Sequence, residues 1–191
     1  YCNATSMLLG LWLERVWRGA IDQIAEREIF HPLEMNSSTF HPLQKRKVEE
    51  IVPSEIDSWR GGMVRGEVHD ESAWTMMKAG NRVVGSAGLF LSIGDLQLYM
   101  QELLRAKRDE GKILTSGTIE LVNRNWMGAL PGEVALGFER NQPAWMGSRC
   151  SHQTIGKTGF TGCSLVVDFE RAQAVAILSN CTWPQRKPRE R

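Results

Sequence analysis

The sequence is poor in the features that would tie it to metals, membranes or nucleic acids. Its four cysteines (Cys2, Cys150, Cys163, Cys181) show no C-x-x-C spacing, which leaves a zinc site unsupported. Their even number permits two disulfides but does not imply them in a domain of this size. The four histidines are dispersed, two of them in His-Pro dipeptides (His31, His41), and no H-x-x-x-H or H-E-x-x-H pair exists. No metal and no cofactor is expected. The longest apolar runs fall far below the ~20 residues that span a bilayer. Neither sign of charge dominates, with 23 basic against 22 acidic residues. No basic stripe is interleaved with aromatics, so a nucleic-acid partner is not expected. Only residues 186–191 are locally basic, and they read as a solvated tail. Internal repeats and low-complexity segments are also lacking. The chain opens on Tyr1 rather than on Met and a charged leader. That opening suggests a start inside a longer protein, and it leaves the compartment unknown, cytoplasmic or extracytoplasmic.

What is present suits one domain, or a domain and a lobe, in 191 residues. Residues 4–17 carry Leu8, Leu9, Trp12 and Val16 at helical spacing, which predicts a largely buried helix. Residues 21–29 repeat the pattern, and Pro32 ends it; residues 33–38 then read as a turn. Residues 41–82 show little periodicity and exceed an ordinary connection in length. They are expected to form a functional loop anchored by Trp59, Met63, Val68 and Trp74. After the small-residue segment 85–90, a helix should start at Ser92 or Asp95 and run through Leu104. A shorter helix should follow Thr115, using Ile119 and Val122, and residues 134–138 read as a strand. Two apolar runs, 164–169 and 174–178, flank the charged turn at Glu170 and Arg171 and predict antiparallel strands.

Helices followed by antiparallel strands argue for an α+β arrangement, of α/β sandwich type. The expected organisation is a helical and loop region over 1–132, antiparallel strands over 133–185 and the tail over 186–191. Together they make one incomplete domain, because so few strands cannot form a well-covered sheet alone.

The candidate chemistry centres on Lys157-Thr158-Gly159 at the head of the first strand run. A lysine and a threonine beside a glycine make a cationic ledge where a substrate can lie close to the backbone. Such a ledge suits a carboxylate, with backbone N–H groups meeting a developing oxyanion. Gly156-Lys157-Thr158 also ends like a phosphate-binding P-loop. The first glycine of that motif would fall at Ser151, and the segment that follows is β-like, whereas a P-loop opens a helix.

Taken with Tyr1-Cys2-Asn3, the triplet changes meaning. Y-x-N before a helix and K-T-G on a late strand resemble the serine β-lactamase and penicillin-binding-protein superfamily, in its class C branch with the related esterases and D-amino-acid peptidases. The similarity continues through Ile29-Phe30-His31-Pro32-Leu33-Glu34-Met35, where Glu34 replaces the usual glycine. It includes Gly66-Glu67-Val68-His69-Asp70-Glu71-Ser72-Ala73 and Gly85-Ser86-Ala87-Gly88-Leu89-Phe90, where Ser86 replaces a histidine. Gly159-Phe160-Thr161-Gly162 and Asn180 with Pro184 complete the series.

The resemblance implies acyl transfer through an acyl-enzyme on a serine. Tyr1 would help move the serine proton, with cations lowering a phenol pKa that is ordinarily near ~10. Asn3 would hydrogen-bond the motif lysine and the substrate amide. Lys157 would supply positive charge to the tyrosine and to a substrate carboxylate. Thr158 and Gly159 would contact substrate, and the Phe160 N–H would be half of an oxyanion hole, a donor worth roughly 3 kcal/mol in the barrier. His69 and Asp70 would touch substrate or fix their own loop. The family's S-x-x-K should precede Y-x-N, and no serine in the chain has a lysine three places on.

Three readings follow. The chain is a segment of a serine hydrolase for β-lactams, D-amino-acid peptides or small esters, with its nucleophile elsewhere. It is a non-catalytic binding module on the same scaffold. Or it is half of a split enzyme completed by another chain that carries S-x-x-K; a homo-oligomer is the other partner expected.

Overall fold

The computed structural model describes residues 2–186 and divides into two compact units. The first comprises Tyr1–Ser92 with Asn180–Arg191, the second Ile93–Ser179. Both mix helices with antiparallel strands, so the chain is α+β as expected.

In the first unit, α1 (Asn3–Trp17) ends where Arg18 turns left-handed at φ 53°. α2 (Ile21–Ala25) runs on into a wider π-helical turn, Glu26–Phe30. Here Ile24, Phe30, Leu33 and Met35 are buried, and Phe30 stacks on Phe40 with ring centroids 6.3 Å apart. α1 departs from expectation. Gly10 is its one buried residue, whereas Leu8, Leu9, Trp12 and Val16 are all more than half exposed. Its apolar residues encircle the axis, and one small glycine brings only one stripe against the unit: a Cβ on Gly85 would lie 2.5 Å from the Ser6 carbonyl.

The long middle segment is more ordered than its sequence suggests. α3 (Pro42–Lys45) leads to a hairpin of β1 (Glu55–Asp57) and β2 (Gly62–Val64), then to α4 (Glu71–Gly80). Asp70 caps α4 by accepting the Ala73 N–H at 2.8 Å. Val68, Ala73 and Val84 form a buried cluster against which Met7, Trp74 and Ala87 pack. Val68 and Trp74 therefore anchor the segment as expected. Met63 does not, since it lies mostly exposed on the narrow two-stranded hairpin; Trp59 is also mostly exposed but meets Trp74 edge-on, with ring centroids 5.3 Å apart. The returning chain ties this hairpin down. Asn180 Nδ2 donates to the Pro53 carbonyl at 3.0 Å, Thr182 Oγ1 to the Ser54 carbonyl at 2.6 Å, and the Ile56 N–H to the Pro184 carbonyl at 2.7 Å.

The second unit packs α5 (Ile93–Ala106) against α6 (Ser116–Asn123) and against a four-stranded sheet. Thr115 caps α6 through the Thr118 N–H, and Ile119 is fully buried. The sheet runs β3-β4-β5-β6, all antiparallel, from β3 (Glu139–Arg140), β4 (Thr154–Thr158), β5 (Ser164–Asp168) and β6 (Gln173–Ile177). α7 (Pro143–Met146) lies between β3 and β4 in sequence. The strand expected over 134–138 is absent. Gly137, at φ 78°, breaks that run, which keeps a single bridge from Val134 to Glu139. Ile155 and Val167 are fully buried at the centre of the sheet. Among the described residues β6 pairs with β5 alone, and Val175 and Ile177 are exposed.

Candidate active site

Asn3 opens α1 in the first unit, and its amide Nδ2 donates to Asp70 Oδ2 at 2.7 Å. Asp70 thus spends one carboxylate oxygen on the α4 cap and the other on Asn3. This holds the asparagine side chain in a single direction. Tyr1 lies outside the described residues.

His69 is largely buried beside Asp70. Its Nδ1 lies 2.9 Å from Ser54 Oγ, and its Nε2 lies 3.6 Å from Glu55 Oε2. Burial, with the Arg186 charge, pushes the imidazole pKa down; the pull of Glu55 is weaker. The ring is therefore neutral at neutral pH, able to accept or donate one proton. Glu55 is held below the usual carboxylate range by its hydrogen bonds from Arg186, which outweigh burial. Arg186 grips it through Nε at 2.8 and 2.9 Å and through Nη2 at 2.6 Å, and reaches Glu71 at 2.8 Å.

Spacing gave no hint of Arg60, which organises this loop. Its buried guanidinium donates to the Val68 and His69 carbonyls, pairs with Asp57 at 3.3 Å and lies 5.1 Å from the Trp74 ring centroid. A cleft of about 520 Å³ lies beside it, lined by Glu55, Asp57, Trp59, Glu71 and Arg186, among others, but by neither Asn3 nor His69.

In the second unit, Lys157 and Thr158 end strand β4, and Gly159 and Phe160 begin the turn into β5. Lys157 is partly exposed, and Thr158, Gly159 and Phe160 are exposed. The turn is tight: the Gly159 N–H donates to the Cys163 carbonyl at 2.7 Å, and the Gly162 N–H to the Gly159 carbonyl at 3.0 Å. Lys157 Nζ lies 3.3 Å from Glu139 Oε1, and Trp145 Nε1 donates to Glu139 Oε2 at 2.9 Å. Gly156 makes room for that indole: a Cβ there would stand 2.6 Å from Trp145 Cη2. Glu139 and Trp145 belong to no motif; only the lysine and the glycine pointed to this strand.

The structure thus groups Asn3 with Asp70 and His69 in one unit, and Lys157 with Thr158, Gly159 and Phe160 in the other. All four cysteines are free.

A strand ending in Lys157-Thr158 on an antiparallel sheet, followed by Gly159, and an asparagine at a helix start, in an α+β chain, are the arrangement that the sequence resemblance leads one to expect. The chain belongs to the Beta-lactamase family, whose model matches residues 1–191. It is 30% identical to an inferred D-alanyl-D-alanine carboxypeptidase of Escherichia coli O157:H7, over 98% of this chain and 47% of that protein. A beta-lactamase structure from Mycobacterium bovis superposes with a TM-score of 0.65 at 18% identity, covering 94% of this chain and 56% of that one. The octameric penicillin-binding protein homologue from Pyrococcus abyssi gives a TM-score of 0.65 at 22% identity, covering 94% and 38%. The chain therefore spans about half the length of the curated relatives it matches, and it is a member of a serine-hydrolase family.

Proposed function

We propose that these residues form the substrate-facing part of a serine hydrolase that acts through an acyl-enzyme on an amide or ester carbonyl, with the nucleophilic serine outside the 191 residues. The observation that carries this reading is the placement of Lys157-Thr158-Gly159. A part-exposed ammonium, an exposed hydroxyl and a glycine lie in succession where β4 turns into β5. Such an edge meets a carbonyl substrate through main-chain N–H groups and one cation. In the other unit, Asn3 is a held amide donor, fixed by Asp70. His69 and Asp70 serve the loop first, because their hydrogen-bonding atoms face Ser54 and Asn3.

The nucleophile is placed outside because no serine is followed three residues later by lysine. A serine hydroxyl with its ordinary high pKa needs such a neighbouring base to attack. The isolated chain should show no turnover of nitrocefin or p-nitrophenyl acetate above buffer. Turnover that a serine-directed inhibitor abolishes would overturn this placement.

A further inference from the structure

We propose that Glu139 is a specificity-determining residue that offsets the Lys157 charge, so that the K-T-G wall takes neutral amides and esters rather than substrates with a free carboxylate. The inference rests on the hydrolase reading and names the substrate class of the same wall. A bare lysine on such a strand would be a carboxylate receptor. Here the ammonium already has a carboxylate 3.3 Å away.

That carboxylate is fixed from three sides. Its backbone is paired to Gly156, the residue before Lys157. Its second oxygen takes the Trp145 indole N–H at 2.9 Å. The indole in turn packs on the bare Cα of Gly156. The next residue on β3, Arg140, cannot restore the positive charge, because its guanidinium is engaged by Glu133.

Both Lys157 and Glu139 side chains are 38% exposed, and pairs that open to water add little to stability. Their effect on a ligand is larger. For a ligand carboxylate ~3 Å from the ammonium, a second negative charge ~5–6 Å away cancels about half of the attraction, at any uniform dielectric constant. A neutral amide or ester loses nothing by it.

The test is an NMR titration of the isotope-labelled chain, following the β4–β5 amides, with N-acetyl-D-alanyl-D-alanine and with its C-terminal amide. The half of the attraction that remains has to offset the desolvation of the ligand carboxylate, so the native chain should bind the amide at least as tightly as the acid. Glu139→Gln, which keeps an acceptor for Trp145, should tighten the acid about tenfold and leave the amide unchanged. Glu139→Asp, which keeps the charge, should retain the native ratio. An unchanged acid-to-amide ratio in Glu139→Gln overturns the inference while leaving the hydrolase reading in place. So does a native chain that prefers the acid tenfold. If neither ligand binds any of the three proteins, the hydrolase reading fails and takes this inference with it. Matching amide spectra away from the hairpin establish that the variants are folded.

Discussion

Glu34 adopts φ 60°, a backbone conformation that costs an L-residue about 1–2 kcal/mol and glycine almost nothing. It stands where the resemblance led us to expect glycine, so the chain keeps the turn and carries the strain. Glu34→Gly should change stability by less than about 1 kcal/mol, strain relief being set against a more flexible unfolded chain. A β-branched Glu34→Val should destabilise by more than about 1 kcal/mol. Thermal midpoints of the two variants check this.

His69 gives a pH dependence of defined sign. Burial and Arg186 hold its pKa below the ordinary 6.5, so the unfolded chain takes up the proton first as pH falls. The stability His69 contributes is fully present above pH 6.5 and is lost as pH drops through the folded value. Glu55, held below 4.5 by Arg186, contributes stability that is present above pH 4.5 and lost only in more acid solution. Denaturant midpoints measured across pH 4 to 8 should fall below 6.5 in the native chain. In His69→Gln they should stay flat until the carboxylates titrate.

Among the elements, β4 is tightly packed at Gly156. Gly156 has Trp145 and the Leu165 carbonyl within 2.7 Å of where a Cβ would stand. Gly156→Ala should cost about 1–3 kcal/mol by overpacking and should disturb Trp145 fluorescence. Behind the sheet, buried Glu102 of α5 accepts the N–H groups of Lys112, Ile113 and Leu114 at 2.8 to 3.0 Å and so closes the loop before α6. Glu102→Leu leaves those donors without their acceptor. A loss of about 2–5 kcal/mol is expected, with faster hydrogen exchange at the three amides.

α5 and α6 were legible from apolar residues at helical spacing and, for α6, from its Thr115 cap, and β5 and β6 from short apolar runs flanking a charged turn. α4 was not legible. Its short sequence, Glu71–Gly80, buries only Ala73, and its start signal Asp70 looked like part of a loop motif. In the candidate site, Asn3 and Lys157 could be named from the sequence because a motif carries them. Arg60, Glu139 and Trp145 were hidden, because their partners depend on register and on returning chain.

At the scale of the whole molecule, each unit leaves an apolar surface open: the face of α1 with Leu8, Leu9 and Trp12, and edge strand β6 with Val175 and Ile177. Exposed apolar faces and unpaired edges favour association. The isolated chain should therefore self-associate at micromolar concentration. Replacing Leu8 and Trp12 by serine should shift it toward monomer in light scattering, while a monodisperse native monomer would count against this.

If the chain bears the polar wall of an acyl-transfer site without the nucleophile, incubation with excess penicillin should leave its intact mass unmodified, with no acyl adduct on any serine. A stoichiometric adduct that maps to a serine within the 191 residues would contradict it.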